Sequence, residues 1–267
     1  MHAVTQLHEA QEFLRQRPET RFVDVLLADS SGVLRGKRVT AAELEGIYSK
    51  GLYLPGSMFA LDVLGGTVEA TGLGFDDGDA DRACRPLLQS LLPVPWLSPA
   101  VAQVQVAMHE VDGRPFFGDP YHVLGGVLDR FRASGLTPVI AIELEFYFVD
   151  RERVAGQPQP PVSPRTGRRE FRTQINSMED LDDYSAVLTE IAAHCEIQQI
   201  PTGTALAEYG PGQFEVNLHH VHDAQRACDH AIRLKRLVKG VAHRHQMEAT
   251  FMAKPYREMA GSGTHIH

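Results

Sequence analysis

Val139-Ile-Ala-Ile-Glu-Leu-Glu-Phe-Tyr-Phe-Val149 is the most informative stretch of the chain. Successive side chains of an extended strand point to opposite faces. Ile140, Ile142, Leu144, Phe146 and Phe148 therefore make one wholly apolar face, and Glu143 and Glu145 fall together on the other. Their Cα atoms would lie about 7 Å apart. A lone Glu-x-Glu reads first as the solvated face of an edge strand, but Ala141, Tyr147 and Val149 share this face, so it is not plainly solvent. At an effective dielectric near 20, two carboxylates ~7 Å apart repel by roughly 2 kcal/mol. A compensating cation would make the arrangement reasonable.

Downstream, Glu208-Tyr-Gly-Pro-Gly-Gln-Phe-Glu215-Val-Asn217 supplies a second pair of carboxylates. Gly210, Pro211 and Gly212 permit a tight turn. The strand after it alternates Phe214, Val216 and Leu218 with Gln213, Glu215 and Asn217. The loop can return Glu208 towards Glu215; taken alone, the segment reads equally well as a glycine-rich surface hairpin. A third signal is Gly261-Ser-Gly-Thr-His265-Ile-His267, whose histidines at i and i+2 of a strand point the same way. Imidazoles so spaced commonly ligate metals, although in a chain with 13 histidines the motif is weak by itself. Together, Glu143, Glu145, Glu208, Glu215 and His265 could converge at one end of a sheet. Oxygen-rich ligation favours Mg²⁺ or Mn²⁺ over Zn²⁺, with the imidazole leaning towards Mn²⁺. Such a multi-metal carboxylate site suits the handling of phosphates.

The flanking segments frame these motifs. Leu7, Ala10, Phe13 and Leu14 recur at helical spacing near the start. RFVDVLLADSSGVLRGKRV reads as two strands joined at Asp29–Gly32, and TAAELEGIY (residues 40–48) as a helix with Thr40 at its N-cap. Residues 1–110 make a small α+β unit, and the turn-rich run 109–120 is the expected boundary. Beyond it come a helix at 121–133 with Leu124, Val127, Leu128 and Phe131 inward, a long surface loop at 151–172 and a helix at 179–194. Asp223 caps a long helix with the stripe Ala227, Ala231, Leu234, Val238 and Val241.

Composition narrows the class. The chain has 267 residues, enough for two domains. With 43% hydrophobic and 22% charged residues it is not largely disordered. A net charge of −8 argues against nucleic acid or an anionic membrane as partner. No apolar run is long enough to span a bilayer, and the first twenty residues lack a signal peptide's hydrophobic segment. Three cysteines without CxxC spacing fit a reduced, cytoplasmic protein.

In IELEFYF, AEYGPGQFEVNLHH, ACDHAIRLKRLVKGVAHRHQMEATFMAKP and AGSGTHIH the chain resembles the glutamine synthetase family, most of all its γ-glutamylpolyamine (γ-glutamylputrescine) synthetase-like members. GVLRGKRV, FALDVLGGTVEATGLG and DGDADRACRPLL extend the match to the N-terminal part. The resemblance implies an α+β protein: a β-grasp domain over residues 1–110, then an α/β catalytic domain over 111–267 with an antiparallel sheet and helices. It also implies a ring-based homo-oligomer such as a dodecamer, with active sites between subunits. The implied reaction joins glutamate to an amine at the expense of ATP through a γ-glutamyl phosphate, with Mg²⁺ or Mn²⁺ as cofactor.

By motif match, Glu145, Glu208 and Glu215 would hold the metal that activates the glutamate side. Glu143 and His265 would hold the metal bridging the ATP phosphates, His267 would lie near the transferring phosphoryl group and nucleotide, and Gly261 would offer backbone to substrate glutamate. Departures bear on the amine. Leu54-Pro-Gly-Ser-Met58 replaces the family's Asp-Gly-Ser-Ser ammonium loop, so a polyamine or alkylamine is the expected acceptor. Ala260 replaces an asparagine, and Gly203 a glutamate on the nucleotide side. The family's catalytic domain continues well past the His267 position, so the 267-residue chain by itself is expected to show little or no ligase activity. The alternatives are an ammonium-using glutamine synthetase and a non-catalytic member that binds nucleotide or glutamate, or only assembles. A metal-dependent hydrolase finds no nucleophile motif or zinc-type spacing in support.

Overall fold

The computed structural model describes residues 2–74, 78–97 and 100–267, with the backbone alone over 2–6. Asp77, which opens the DGDADRACRPLL match, lies outside the described residues. Contacts divide the chain into two compact units, Met1–Leu136 and Thr137–His267.

The first unit is a mixed sheet covered by helices. Its strands are β1 (Phe22–Ala28), β2 (Leu34–Thr40), β3 (Leu52–Pro55), β4 (Asp81–Pro86), β5 (Leu92–Pro93) and β6 (Val101–His109). They lie in the order β2-β1-β6-β4-β3, with β5 also on β6. β1 and β6 run parallel and the other pairs antiparallel. The β1–β2 turn forms where expected because Asp29 Oδ1 accepts from the backbone of Ser31 and Val33. Helices α1 (His2–Gln16) and α2 (Leu44–Lys50) contribute Ala10, Leu44, Ile47 and Tyr48 to a core with Val23, Val25, Val104 and Met108. Thr40 and Glu43 form a capping box, but it opens a short 3₁₀ turn, Ala41–Glu43, before α2. Leu54, in the stretch that replaces the family's polar loop, is fully buried.

Helix α3 (Pro120–Ala133) belongs to this unit, so the contact division falls after Leu136, whereas the sequence places a boundary near residue 110. The joint between is knitted into the unit: Phe116 enters its core, and the Asp119 carboxylate accepts from Met108 N at the end of β6 and from Tyr121 N at the start of α3. The inward stripe expected for α3 is met in part: Leu128 is buried and Leu124 half-buried, while Val127 and Phe131 are exposed.

The second unit is an antiparallel sheet of β7 (Ile142–Asp150), β8 (Thr202–Ala207), β9 (Gln213–Leu218), β10 (Met247–Thr250) and β11 (Thr264–Ile266). β7 is central. β9 lies on one side; β10 and β11 share the other, β10 pairing Tyr147–Asp150 and β11 pairing Ile142–Leu144. The apolar face of β7 is buried as expected, with Phe146 and Phe148 packed on Phe214 of β9. Helix α6 (Ala224–Arg244) starts at Asp223, whose carboxylate accepts from Arg226 N, and its whole expected stripe is buried.

The helix expected at 179–194 is broken into α4 (Met178–Asp183) and α5 (Ser185–Ile197). At the break, Tyr184 stacks on Phe148 and meets Phe214 edge-on, and Asp183 is buried against Arg165 and Ser163. Satisfying the core at Tyr184 wins over helix continuity. The run 151–172 is irregular, as its proline and glycine content predicts, and it is pinned by Arg153–Glu248, Arg165–Asp183 and Arg169–Asp150 ion pairs. No helix among the described residues is long and apolar enough to cross a membrane.

Candidate metal centre

The polar face of β7 becomes a site through what its neighbours place beside it. Antiparallel pairing sets Glu143 opposite Asn217 and Glu145 opposite Glu215 on β9. On the other side, β11 sets His265 opposite Glu143. Cross-strand partners share a face, so His265, Glu143 and Asn217 form one row and Glu145 and Glu215 the next. The backbone of His267 exchanges hydrogen bonds with Ala141, which carries the pairing one residue pair further. His267 thus points the same way as His265. Between β10 and β11, Glu145 N donates to Gly263 O.

Two triads result. Glu143, His265 and His267 can each bring a ligand atom within 4.8 Å of the others, and so can Glu145, Glu215 and His265. His267 Nε2 lies 3.0 Å and His265 Nδ1 3.4 Å from Glu143 Oε2, while His265 Nε2 is 3.9 Å from Glu145 Oε1. His265 stands between the two groups. Glu208 joins neither triad, but it lies near enough to Glu145 to feel its charge and near enough to Glu215 to raise it. It is brought there by the turn between β8 and β9, where Glu208 N donates to Gln213 O and Gly212 adopts φ +75°. The structure thus gathers every carboxylate and imidazole singled out in the sequence, and it places His267 beside Glu143. Gly261 lies in the loop before β11, its carbonyl accepting from Gln213 Nε2 at 2.9 Å.

Burial and like charge shape the electrostatics of this face. Burial first, then repulsion from Glu145, raises the Glu208 carboxyl. Burial first, then Glu143 and Glu208, raises Glu215. Glu143 goes the other way. Burial works to raise it, but hydrogen bonds with His267, Asn217 and His265 together outweigh burial and hold it below the ordinary range. Carboxylate oxygens with exposed imidazoles form a donor set that suits Mg²⁺ or Mn²⁺, whose oxygen ligands sit at ~2.1 Å. Asn217 Oδ1 is buried with no partner in the structure, a free acceptor beside Glu143 that a metal-bound water would satisfy. The residues present fit a pair of divalent cations.

Residues that the sequence reading passed over complete the site. Gln213 is almost fully buried and uses its whole amide: Nε2 donates to Glu145 Oε2 (3.1 Å) and Gly261 O, and Oε1 accepts from Gly210 N (2.9 Å). Asn217 Nδ2 donates to Glu143 Oε1 at 2.6 Å. Tyr147 Oη donates to Ala260 O at 2.9 Å, and burial with Glu145 and Glu208 nearby pushes its hydroxyl up to about 12. Gly210 is required here, since a Cβ on it would lie 2.2 Å from that hydroxyl. The alternation of β9 had put Gln213 and Asn217 on the Glu215 face; that was the available signal.

The sequence pattern of the glutamine synthetase catalytic domain matches residues 117–267. The chain belongs to the glutamine synthetase family. Within that family it is 46% identical to the γ-glutamylputrescine synthetase of Escherichia coli strain K12, over 97% of this chain and 55% of that protein. It is 30% identical to a glutamate–isopropylamine ligase of a Pseudomonas species, over 90% of this chain and 52% of that one. Among solved structures, the GmaS/ADP complex superposes with a TM-score of 0.79 at 26% identity, covering 96% of this chain and 54% of that chain. The chain spans about half the length of the curated relatives it matches.

Proposed function

We propose that this chain carries the metal-binding half of an ATP-dependent ligase that joins the γ-carboxyl of glutamate to an alkylamine or polyamine. One observation supports it above others: Glu143, Glu145, Glu208, Glu215, His265 and His267 gather on one sheet face in a glutamine synthetase-family domain. The acceptor follows from the names of the relatives, a putrescine and an isopropylamine ligase, and from buried Leu54 where the family's ammonium loop is polar.

In this reading Glu145, Glu208 and Glu215 hold one divalent cation, and Glu143 with His265 the other. Mg²⁺ serves as readily as Mn²⁺. Cations bound there would neutralise phosphoryl oxygens, which is most of what phosphoryl transfer requires of a protein. The chain's own residues fix the geometry. Glu143 and Glu145 sit on one rigid strand two residues apart, so the two binding positions hold a constant spacing. Buried Glu215 keeps the inner position dry on one side, while His265 and His267 leave the outer one open to nucleotide. His267 stands beside the transferring group, and the Gly261 backbone meets the amino-acid substrate. The γ-carboxylate of glutamate attacks the γ-phosphate of ATP and releases ADP, and the amine then displaces phosphate from the acyl phosphate, losing a proton as the amide forms.

The parallel β1/β6 pair, the β1–β2 hairpin and packed α2 support a β-grasp reading for residues 1–110, with 111–267 as the catalytic domain. A cytoplasmic ring-shaped homo-oligomer completes the proposal. The test is ATP-dependent phosphate release by the protein made from its complete coding sequence, with glutamate and a panel of ammonium, putrescine, spermidine and short alkylamines. Turnover on an organic amine at least tenfold above ammonium is expected. Preference for ammonium, or nucleotide binding without amide formation, would refute it.

A further inference from the structure

Every carboxylate of the site lies on β7, on β9 or in the turn before β9, and two side-chain amides, both on β9, reach the β7 glutamates. Gln213 and Asn217 flank Glu215 at i−2 and i+2, on the same face. In register, Asn217 stands opposite Glu143, and Gln213 stands opposite Tyr147, two pairs beyond Glu145. Each amide holds a different β7 glutamate: Asn217 Nδ2 donates to Glu143 Oε1 and also eases the Glu215 carboxylate, whereas Gln213 Nε2 donates to Glu145 Oε2. Neither contact is loose. Gln213 is 2% exposed, and its Oε1 is occupied by Gly210 N, so its amide cannot flip without losing three hydrogen bonds. A carboxylate held through one oxygen presents the other in a fixed direction, which for both glutamates is towards the imidazoles: Glu143 Oε2 faces His265 and His267, and Glu145 Oε1 faces His265.

We propose that Gln213 and Asn217 are positioning residues, Gln213 for the cation held by Glu145 and Asn217 chiefly for the cation held by Glu143. This rests on the reading of the site as a two-cation centre and deepens it. Partners that orient ligands from behind typically contribute 10–100-fold in metal affinity. Gln213 has a second consequence. Its other Nε2 hydrogen holds the Gly261 carbonyl, so the amide that orients Glu145 also fixes the loop leading into β11. Asn217 has no such link, and its Oδ1 remains free for a metal-bound water.

The test is a Mn²⁺ titration followed by electron paramagnetic resonance on the native chain and on Gln213→Met and Asn217→Leu, which keep volume and remove the amide. Nitrogen hyperfine coupling from His265 marks the Glu143 position. Asn217→Leu is expected to weaken the nitrogen-coupled position by about 10–100-fold and the other by less, and Gln213→Met to weaken the other by about 10–100-fold while leaving the nitrogen-coupled one within about threefold. Equal weakening of both positions by each variant, as a general structural defect would give, overturns the proposal, as does no change in either. Thermal melts in chelator check folding. If Gln213→Met does not fold, Asn217→Leu alone still decides, by whether the nitrogen-coupled position weakens more than the other. No saturable binding by the native chain overturns the two-cation reading and this proposal with it; native binding with unmoved variants overturns this proposal alone.

Discussion

Glu145 and Glu215 stand directly opposite one another across the β7–β9 ladder, with ligand oxygens within 4.8 Å. At that separation and an effective dielectric near 20, two full charges repel by about 3 kcal/mol. Part of this is relieved by the raised pKa of Glu215. Glu215→Gln keeps the shape and removes one charge. In chelator it is expected to melt about 2–6 °C above the native chain, the equivalent of ~1–2 kcal/mol at this size. Its Mn²⁺ affinity should fall at least tenfold. Calorimetry and a metal titration on the same preparation check both, and a destabilised variant with native affinity would contradict the assignment.

Metal-induced stabilisation should fade as pH falls, earlier than ordinary carboxylates would suggest. Glu208 and Glu215 have raised pKa values in the fold, from burial first and neighbouring carboxylates second. An acid whose folded pKa is raised favours the fold at low pH and costs stability once pH exceeds both its unfolded and folded values. Above that window the ionised pair strains the metal-free chain and binds cation; below it the pair is protonated and ligation is lost. The gain in melting temperature on adding Mg²⁺ is therefore expected to be largest near pH 7.5 and to vanish by pH 4.5. An equal gain at both pH values would exclude these two glutamates as ligands.

His230 contributes a separate acid sensitivity. It is buried on α6, and burial first, then Arg233 and Arg226, pull its pKa down to about 4. A base kept neutral in the fold contributes stability that is present above its unfolded pKa near 6.5 and is lost as pH falls towards the folded value. The loss amounts to ~3 kcal/mol between pH 6.5 and 4. Urea denaturation across that range should show a shallower decline for His230→Leu than for the native chain. Parallel declines would mean the imidazole is protonated in place.

Gly263 is constrained by space, not by backbone. A Cβ there would sit 2.6 Å from His265 Nε2 and 2.7 Å from Glu145 Oε1. Gly263→Ala must push a ligand from each triad aside while altering no ligating residue. Mn²⁺ binding is expected to weaken by tenfold or more with little change in the melting temperature in chelator, read by titration and circular dichroism. Unchanged binding would show that the two side chains do not converge there.

Much of this was legible because strand alternation is a local rule. The faces of β7 and β9 follow from period two alone, and Asp29 and Asp223 mark a turn and a helix start by their side-chain chemistry. What escaped was tertiary. Nothing local distinguishes Val127 and Phe131, which are exposed, from Leu128, which is buried. The break at Tyr184 comes from an aromatic seat among residues far away in sequence. In the site, ligand-type residues announce themselves by charge, whereas Gln213 and Asn217 are ordinary strand amides until the register sets them against Glu145 and Glu143. The spacing of His265 and His267 gave their common direction, but only the β11–β7 pairing reveals that both meet Glu143.

The most direct measurement is the number of Mn²⁺ ions the native chain binds at pH 7.5, set against a Glu143→Gln/Glu145→Gln double variant. Two saturable ions per chain are predicted for the native protein, with loss of both in the variant at unchanged fold. A native chain whose free Mn²⁺ signal follows the buffer line, or a double variant that still takes up two ions, would contradict the cation centre on β7.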